Sequence, residues 1–349
     1  MSNVKHYHGK FIYNPHVVLL GAGASKAAFP HGDANGTKLP LMEDIVTTVG
    51  LSDIVDSLNV PDEERNNFEL LYSNLVQEPA NAGVVKEIEE RIYGYFSTIE
   101  LPPEITIYDK LILSLRDKDL IATFNWDPLL LLSYRRCGIA LNRIFNVDPP
   151  PIAFLHGNVS VGICREDKVT GFLNNRCSQC GRHLEPSRLL YPITCKNYSD
   201  DPFIEGQWEL LRDQLQRSFF FTVYGYSAPK TDLDAIALMK ESWTNNPRHK
   251  LCQLEIIDIQ NENELEDSWD GFIVSHHYHI ARKFEDSYMY HYPRRSIEAF
   301  FDCYMQCEPW RRNPLPKVQS VEELFDWLYP LLEQEANDIC IPNWSNEDQ

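Results

Sequence analysis

Short, almost continuous apolar runs punctuate this chain, and long stretches with helical spacing lie between them. The runs are His16-Val17-Val18-Leu19-Leu20, Leu120-Ile121-Ala122-Thr123, Ile152-Ala153-Phe154-Leu155, Phe219-Phe220-Phe221-Thr222-Val223-Tyr224 and Leu254-Glu255-Ile256-Ile257-Asp258. Runs of this kind suit strands covered on both faces, as in a parallel sheet. Between the first two, residues 41–49, 63–76 and 84–96 carry apolar side chains three and four apart, which predicts helices. Pro102-Pro103 ends that helical stretch. Strands alternating with helices predict an α/β protein with a doubly wound parallel sheet.

Two segments break the pattern. Residues 158–199 are polar, cysteine-containing and aperiodic, which suggests a small insertion between two strands. After about residue 262 the pattern becomes mostly helical, with an amphipathic helix over Val321–Ala336 and a frayed tail over Ile341–Gln349. The chain, 349 residues long, is large for one core. The expected organisation is a nucleotide-binding domain of residues 1–157 plus 200–262, with a helical insertion at about 40–100. A 158–199 module and a 263–349 helical region complete it.

Composition narrows the function classes. Hydrophobic content of 43% and charged content of 24% are ordinary for a folded soluble chain. The net charge of −19 argues against direct nucleic-acid binding. The short basic clusters Tyr292-Pro293-Arg294-Arg295 and Trp310-Arg311-Arg312 read as solvated or partner-facing patches. No apolar run approaches the roughly 20 residues of a membrane span, and MSNVKHYHGK lacks a secretory apolar segment. A cytoplasmic protein with no membrane association is expected.

Nine cysteines in such a chain point to thiols or metal rather than disulfides. Cys177-Ser178-Gln179-Cys180 is a knuckle that can grip a metal, and Cys164 and Cys195 would complete a tetrahedral zinc site. His183 is a substitute ligand, and a set of reduced, unliganded cysteines is the alternative.

Ligands of open parallel sheets bind beyond the carboxyl ends of the strands. The first run continues, in VVLLGAGASKAAFP, into Gly21-Ala22-Gly23-Ala24-Ser25; Lys26 stands where a dinucleotide fingerprint has its third glycine. The second run ends at Thr123 and leads to Phe124-Asn125-Trp126-Asp127, the third to His156-Gly157-Asn158, the fourth to Gly225-Tyr226-Ser227, and the fifth to Asp258 and Asn261. Each alone reads as a turn, a cap or a structural histidine. Their recurrence at successive strand ends predicts one nucleotide site.

Gly-Ala-Gly-x-Ser, Thr-x-Asn-x-Asp, His-Gly, a cysteine module and Gly-x-Ser, in that order over residues 16–262, resemble the sirtuin (SIR2) family. The resemblance implies a Rossmann-like fold that binds NAD, with a small zinc module. It implies that the loop Gly21, Ala22, Gly23 and Ser25 cradles the pyrophosphate, with Thr123 in the site. Asn125 would contact the nicotinamide ribose or the attacking water, Asp127 the carboxamide, and His156 would be the general base. Gly225 and Ser227 would line the adenosine side, with Asp258 or Asn261 at the adenine ribose. The sequence departs from the deacylases of the family at Phe29-Pro30-His31-Gly32-Asp33, where Phe-Arg is missing, and at Phe124, which replaces a glutamine. These departures are similar to the NAD hydrolases of bacterial antiphage defence. An NAD-dependent deacylase and a non-catalytic NAD or ADP-ribose sensor are the alternatives. A homo-oligomer, or a partner protein of a defence system engaged by the C-terminal region, is also expected.

Overall fold

The computed structural model describes residues 12–58, 60–65, 67–193, 198–228, 232–337 and 340. The expected tail over Ile341–Gln349 lies outside them.

Six parallel strands form the central sheet: β1 (His16–Leu20), β2 (Leu120–Thr123), β3 (Ile152–Phe154), β7 (Phe220–Tyr224), β8 (Gln253–Ile257) and β9 (Tyr278–Ala281). Their order is β3-β2-β1-β7-β8-β9, and every pairing is parallel. Counted within the sheet, this is the 3-2-1-4-5-6 order of a doubly wound dinucleotide fold, with the direction of winding reversing between β1 and β7. All five expected strands are present. The sixth, β9, lies in the region expected to be mostly helical. Its Tyr-His-Ile-Ala sequence offers too short an apolar run to announce a strand, and pairing with β8 imposes the extended form.

Successive side chains on a strand face opposite sides, which divides the core into two layers. Val18, Leu20 and Ile121 pack with Phe68, Leu71, Ile88 and Ile92 from the helical insertion and with Leu111 from the helix Ile107–Ser114. Val17, Leu19, Leu120 and Ala122 pack with Leu211 and Leu215 from the helix Pro202–Arg217 that leads into β7, and with Met239, Trp243 and Trp269 from the helices that link β7 to β9.

The C-terminal region is part of the first layer. Phe284, Met289, Leu315, Leu324 and Leu328 share that core, so residues beyond 262 complete the sheet and one of its coats. The helix Val321–Ala336 has the expected bounds. Arg294, read from sequence as part of a solvated or partner-facing patch, is instead only 2% exposed. Its guanidinium donates to Glu335 at 2.6 and 2.7 Å and to the carbonyls of Leu113 and Leu115. Arg295 is buried too and donates to Gln334. Together they clamp the last helix to the end of the helix Ile107–Ser114.

The aperiodic insertion holds a second, three-stranded antiparallel sheet of β4 (Val161–Cys164), β5 (Val169–Phe172) and β6 (Glu185–Pro186), in the order β5-β4-β6.

Candidate functional site

At the reversal of winding, the turns after β1 and β7 are locked together. The Gly21 amide donates to the Tyr224 carbonyl and the Gly23 amide to the Gly225 carbonyl, both at 3.0 Å. A Cβ on Gly21 would lie 2.4 Å from the Gly225 oxygen, and one on Gly225, whose φ is +61°, would lie 2.1 Å from the Ala24 nitrogen. These glycines therefore serve the approach of two turns to each other. The cradle expected of this loop loses two of its donors, because the Gly21 and Gly23 amides are already bonded within the chain.

Beyond this knot opens a cavity of about 900 Å³, within the range that holds a large cofactor. Its lining includes Ala22, Ser25, Asn125, Asp127 and His156 together with Gly225, Ser227 and Asp258. Thr123 stands behind this lining, 1% exposed, where its Oγ1 accepts the Asn125 amide at 3.0 Å and shapes the turn. Asp258 follows β8 and accepts the Gln260 amide at 2.9 Å through Oδ1. Asn261 does not reach the cavity; its side chain caps the helix Glu262–Trp269 through the Asn263 amide.

The polar lining is a connected network. Ser25 Oγ donates to Asp127 Oδ2 at 2.7 Å and accepts from Asn125 Nδ2 at 2.9 Å. Asn125 Nδ2 also donates to the Gly21 carbonyl at 2.9 Å, which ties the second strand end to the first. Asp127 Oδ1 accepts the Leu129 amide at 3.1 Å. Asp127 is 4% exposed, and burial pushes its carboxyl above the usual aspartate value, while the Ser25 and Leu129 bonds pull it back. No salt bridge reaches Asp127 among the described residues.

His156 is 6% exposed, with its ring 4.6 Å from that of Phe124 and stacked near-parallel on Tyr198 at 6.2 Å. Phe124 also lies 4.5 Å from Tyr226, so it fills the second coat with an aromatic ring rather than a hydrogen-bonding group.

Several participants escaped the sequence reading. Tyr108, fully buried, sits with its hydroxyl 2.6 Å from Ser25 Oγ. Its helix, Ile107–Ser114, starts at the capping box of Thr106 and Asp109, and nothing local reveals that Tyr108 meets the strand ends. Asn158, the third residue of the His-Gly-Asn turn, donates to the carbonyls of Asp127 at 2.6 Å and Asn125 at 3.4 Å, bracing their turn from behind. Arg282 and Lys283 enter the cavity lining because β9 extends the sheet.

The cysteine module brings Cys164, Cys177 and Cys180 together with Asp167, their ligand atoms all within 4.8 Å of one another. Cys195 lies outside the described residues, and Asp167 was not anticipated. Cys164 and Cys180 sulfurs are 3.7 Å apart, against an edge of about 3.8 Å for a tetrahedron with zinc–sulfur bonds of about 2.3 Å. Three thiolates and a carboxylate thus fit zinc. The ion would tie β4 to the Cys177–Cys180 turn and brings no chemistry to the cavity, which none of these four residues lines.

No protein-family model matches the sequence, and no curated protein does. Among solved structures, the chain is similar to a Sir2 homologue in complex with NAD, at 14% identity and a TM-score of 0.39, over 86% of this chain and 97% of that one. A structure concerned with sirtuin substrate affinity gives 16% and 0.39 over 81% and 93%, and a Sir2 complex with a deacetylated p53 peptide and 3′-O-acetyl ADP-ribose gives 12% and 0.36 over 84% and 93%. Values this low transfer neither reaction nor substrate. The strand order of this chain and the groups at its strand ends carry the functional reading instead.

Proposed function

We propose that this protein is an NAD hydrolase, splitting NAD into ADP-ribose and nicotinamide. The observation that carries the reading is the meeting of Asn125, Asp127 and His156 in the lining of a dinucleotide-sized cavity at the winding reversal. The nicotinamide ring of NAD is cationic, and the buried Asp127 carboxylate, with no salt bridge among the described residues, complements it. Asn125 orients the nicotinamide ribose or a water, and His156 takes a proton from the ribose hydroxyl or the attacking water. Nicotinamide is a good leaving group, so the chain need only orient, stabilise charge and admit water. Ala22, Ser25, Gly225, Ser227 and Asp258 serve the remainder of the dinucleotide.

Hydrolysis is favoured over deacylation by two departures that the structure makes concrete. Phe124 offers no hydrogen bond where the resemblance expects a glutamine. The segment after Phe29 is folded on itself, with the Asp33 carboxylate accepting the amides of Asn35, Thr37 and Glu100 at 2.8 to 2.9 Å. The motif resemblance alone supports a physiological role in antiphage defence by NAD depletion, and the composition of the region after residue 262 alone supports restraint by oligomerisation or a partner.

One observation favours deacylation as the second reading. A further cleft of about 650 Å³, between the helices Phe68–Gln77 and Ala82–Ser97 and residues 187–193, shares the wall residue Leu190 with the main cavity.

Incubating the protein with NAD, with and without an acylated peptide, separates the two. ADP-ribose from NAD alone marks the hydrolase; acyl-ADP-ribose formed only with peptide marks the deacylase. His156→Ala and Asn125→Ala are each expected to abolish nicotinamide release while leaving the fold intact, and intact turnover in both sinks the assignment.

A further inference from the structure

The Ser25 hydroxyl makes three hydrogen bonds, the full complement of one donor and two acceptor sites. It gives its single proton to Asp127 and receives Asn125 Nδ2, so the Tyr108 hydroxyl at 2.6 Å must be the donor of the third bond. We propose that Tyr108 is a positioning residue that fixes the direction of a relay, Tyr108 to Ser25 to Asp127, and so holds Asp127 as a carboxylate.

The reverse relay fails on proton count. A protonated Asp127 would donate to Ser25, and Ser25 would turn its own proton to the Tyr108 oxygen. The Tyr108 proton would then need an acceptor. Its partners among the described residues are Ser25 and, at 3.4 Å, Asn125 Nδ2, itself a donor. Tyr108 is fully buried, so water does not supply one. A buried hydroxyl stranded in this way is costly, and that cost falls only on the protonated state of Asp127. Burial raises the carboxyl of Asp127, and the relay opposes it.

The titratable groups facing the relay are few. Asp127 and Tyr108 face each other across Ser25, Tyr224 on β7 faces Tyr108, and His156 shares the cavity lining. No lysine or arginine contributes to the shift of Asp127. The relay itself stands on this geometry, and its catalytic consequence rests on the NAD-hydrolase reading.

The test is a carbon-13 titration of the aspartate carboxyls in the full chain, with the Asp127 signal identified by its loss in Asp127→Asn. Tyr108→Phe keeps the ring and removes the donor. Its Asp127 midpoint is expected about one pH unit above that of the wild type. Ser25→Ala cuts the same relay in its middle and is expected to raise the midpoint likewise, which keeps the proposal open to test if the first variant does not fold. Adding Tyr108→Phe to Ser25→Ala should then move it no further. An Asp127 midpoint in Tyr108→Phe at or below the wild-type value overturns the relay, as does a wild-type Asp127 protonated at neutral pH.

The pH profile of nicotinamide release gives the second readout. Its acid limb is expected to follow the midpoint, so that Tyr108→Phe loses about tenfold below the limb and less above it. If the midpoint moves while the wild type releases no nicotinamide, the relay holds and the hydrolase reading falls. If nicotinamide is released and neither midpoint nor limb moves, the relay falls alone.

Discussion

Replacing Arg294 by methionine tests how the last helix is held to the core. The substitution keeps the length and apolar stem of the side chain and removes the guanidinium. In the wild type that group is wholly buried and makes a two-point contact with Glu335, whose side chain is 9% exposed. Removing one partner of a buried ion pair strands the other, which costs about 3–5 kcal/mol. The Leu113 and Leu115 carbonyls also lose their donor, and the nearer bond, at 2.7 Å, accounts for roughly a further 1 kcal/mol. Urea unfolding should therefore show Arg294→Met destabilised by about 4–6 kcal/mol. The double variant Arg294→Met, Glu335→Leu removes the stranded charge and fills the space with apolar atoms. It should recover most of the loss and remain about 1–2 kcal/mol below the wild type, the share of the two carbonyls. A single variant that loses less than about 1 kcal/mol, or a double variant no better than the single, would refute the buried-clamp reasoning.

Other outcomes follow from the site and the sheet. Asp127→Asn should lower nicotinamide release by about a hundredfold or more in a chain that still folds, read by chromatography of the products; near-normal turnover would remove Asp127 from the chemistry. Gly225→Ala should cost about 1–3 kcal/mol and weaken NAD binding, because its Cβ would meet the Ala24 nitrogen; a wild-type melting temperature would show that the knot can yield. His279, hydrogen-bonded to the buried Glu255 at 3.2 Å, has its pKa raised, chiefly by that bond. Its folded value exceeds its unfolded one, so its contribution is complete below about 6.5 and is lost as pH rises through the folded value. His279→Asn should thus be destabilised relative to wild type at pH 5.5 and less so at alkaline pH, and a gap that widens on going alkaline would contradict the assignment. Zinc analysis should find one ion per chain, lost in Asp167→Ala, with a chelator lowering the melting temperature; retention of zinc in that variant would point to a different fourth ligand.

The strand ends were legible because a buried parallel strand cannot conceal its composition. The turns after β1, β2, β3, β7 and β8 each carry glycine or polar residues, and ten of the twelve catalytic and cofactor-side positions expected from them line one cavity together, Thr123 and Asn261 being the exceptions. Asn125, Asp127 and His156 are among those that the fold brings to the cavity. Tyr108, Arg282 and Lys283 were not legible, since each reaches the cavity or its network across a tertiary contact that no local pattern encodes. β9 failed for a related reason: at the sheet edge it is only partly covered, so its sequence carries polar residues and lacks an apolar run. Arg294 misled in the opposite sense. An arginine in a short basic cluster looks solvated until its partner, more than forty positions away by then folded beside it, takes it into the core.

The clamp between Arg294 and Glu335 also bears on how the chain matures. Tyr108 stands at the start of the helix whose far end this clamp secures, so one support of the site is supplied by residues near position 335. During synthesis at about 5–20 residues per second, the strands that bear Asn125 and His156 leave the ribosome well before that support exists. On the proposed NAD-hydrolase reading, the site would in this way be kept incomplete on the nascent chain, and would gain its working geometry only when the helix Val321–Ala336 docks.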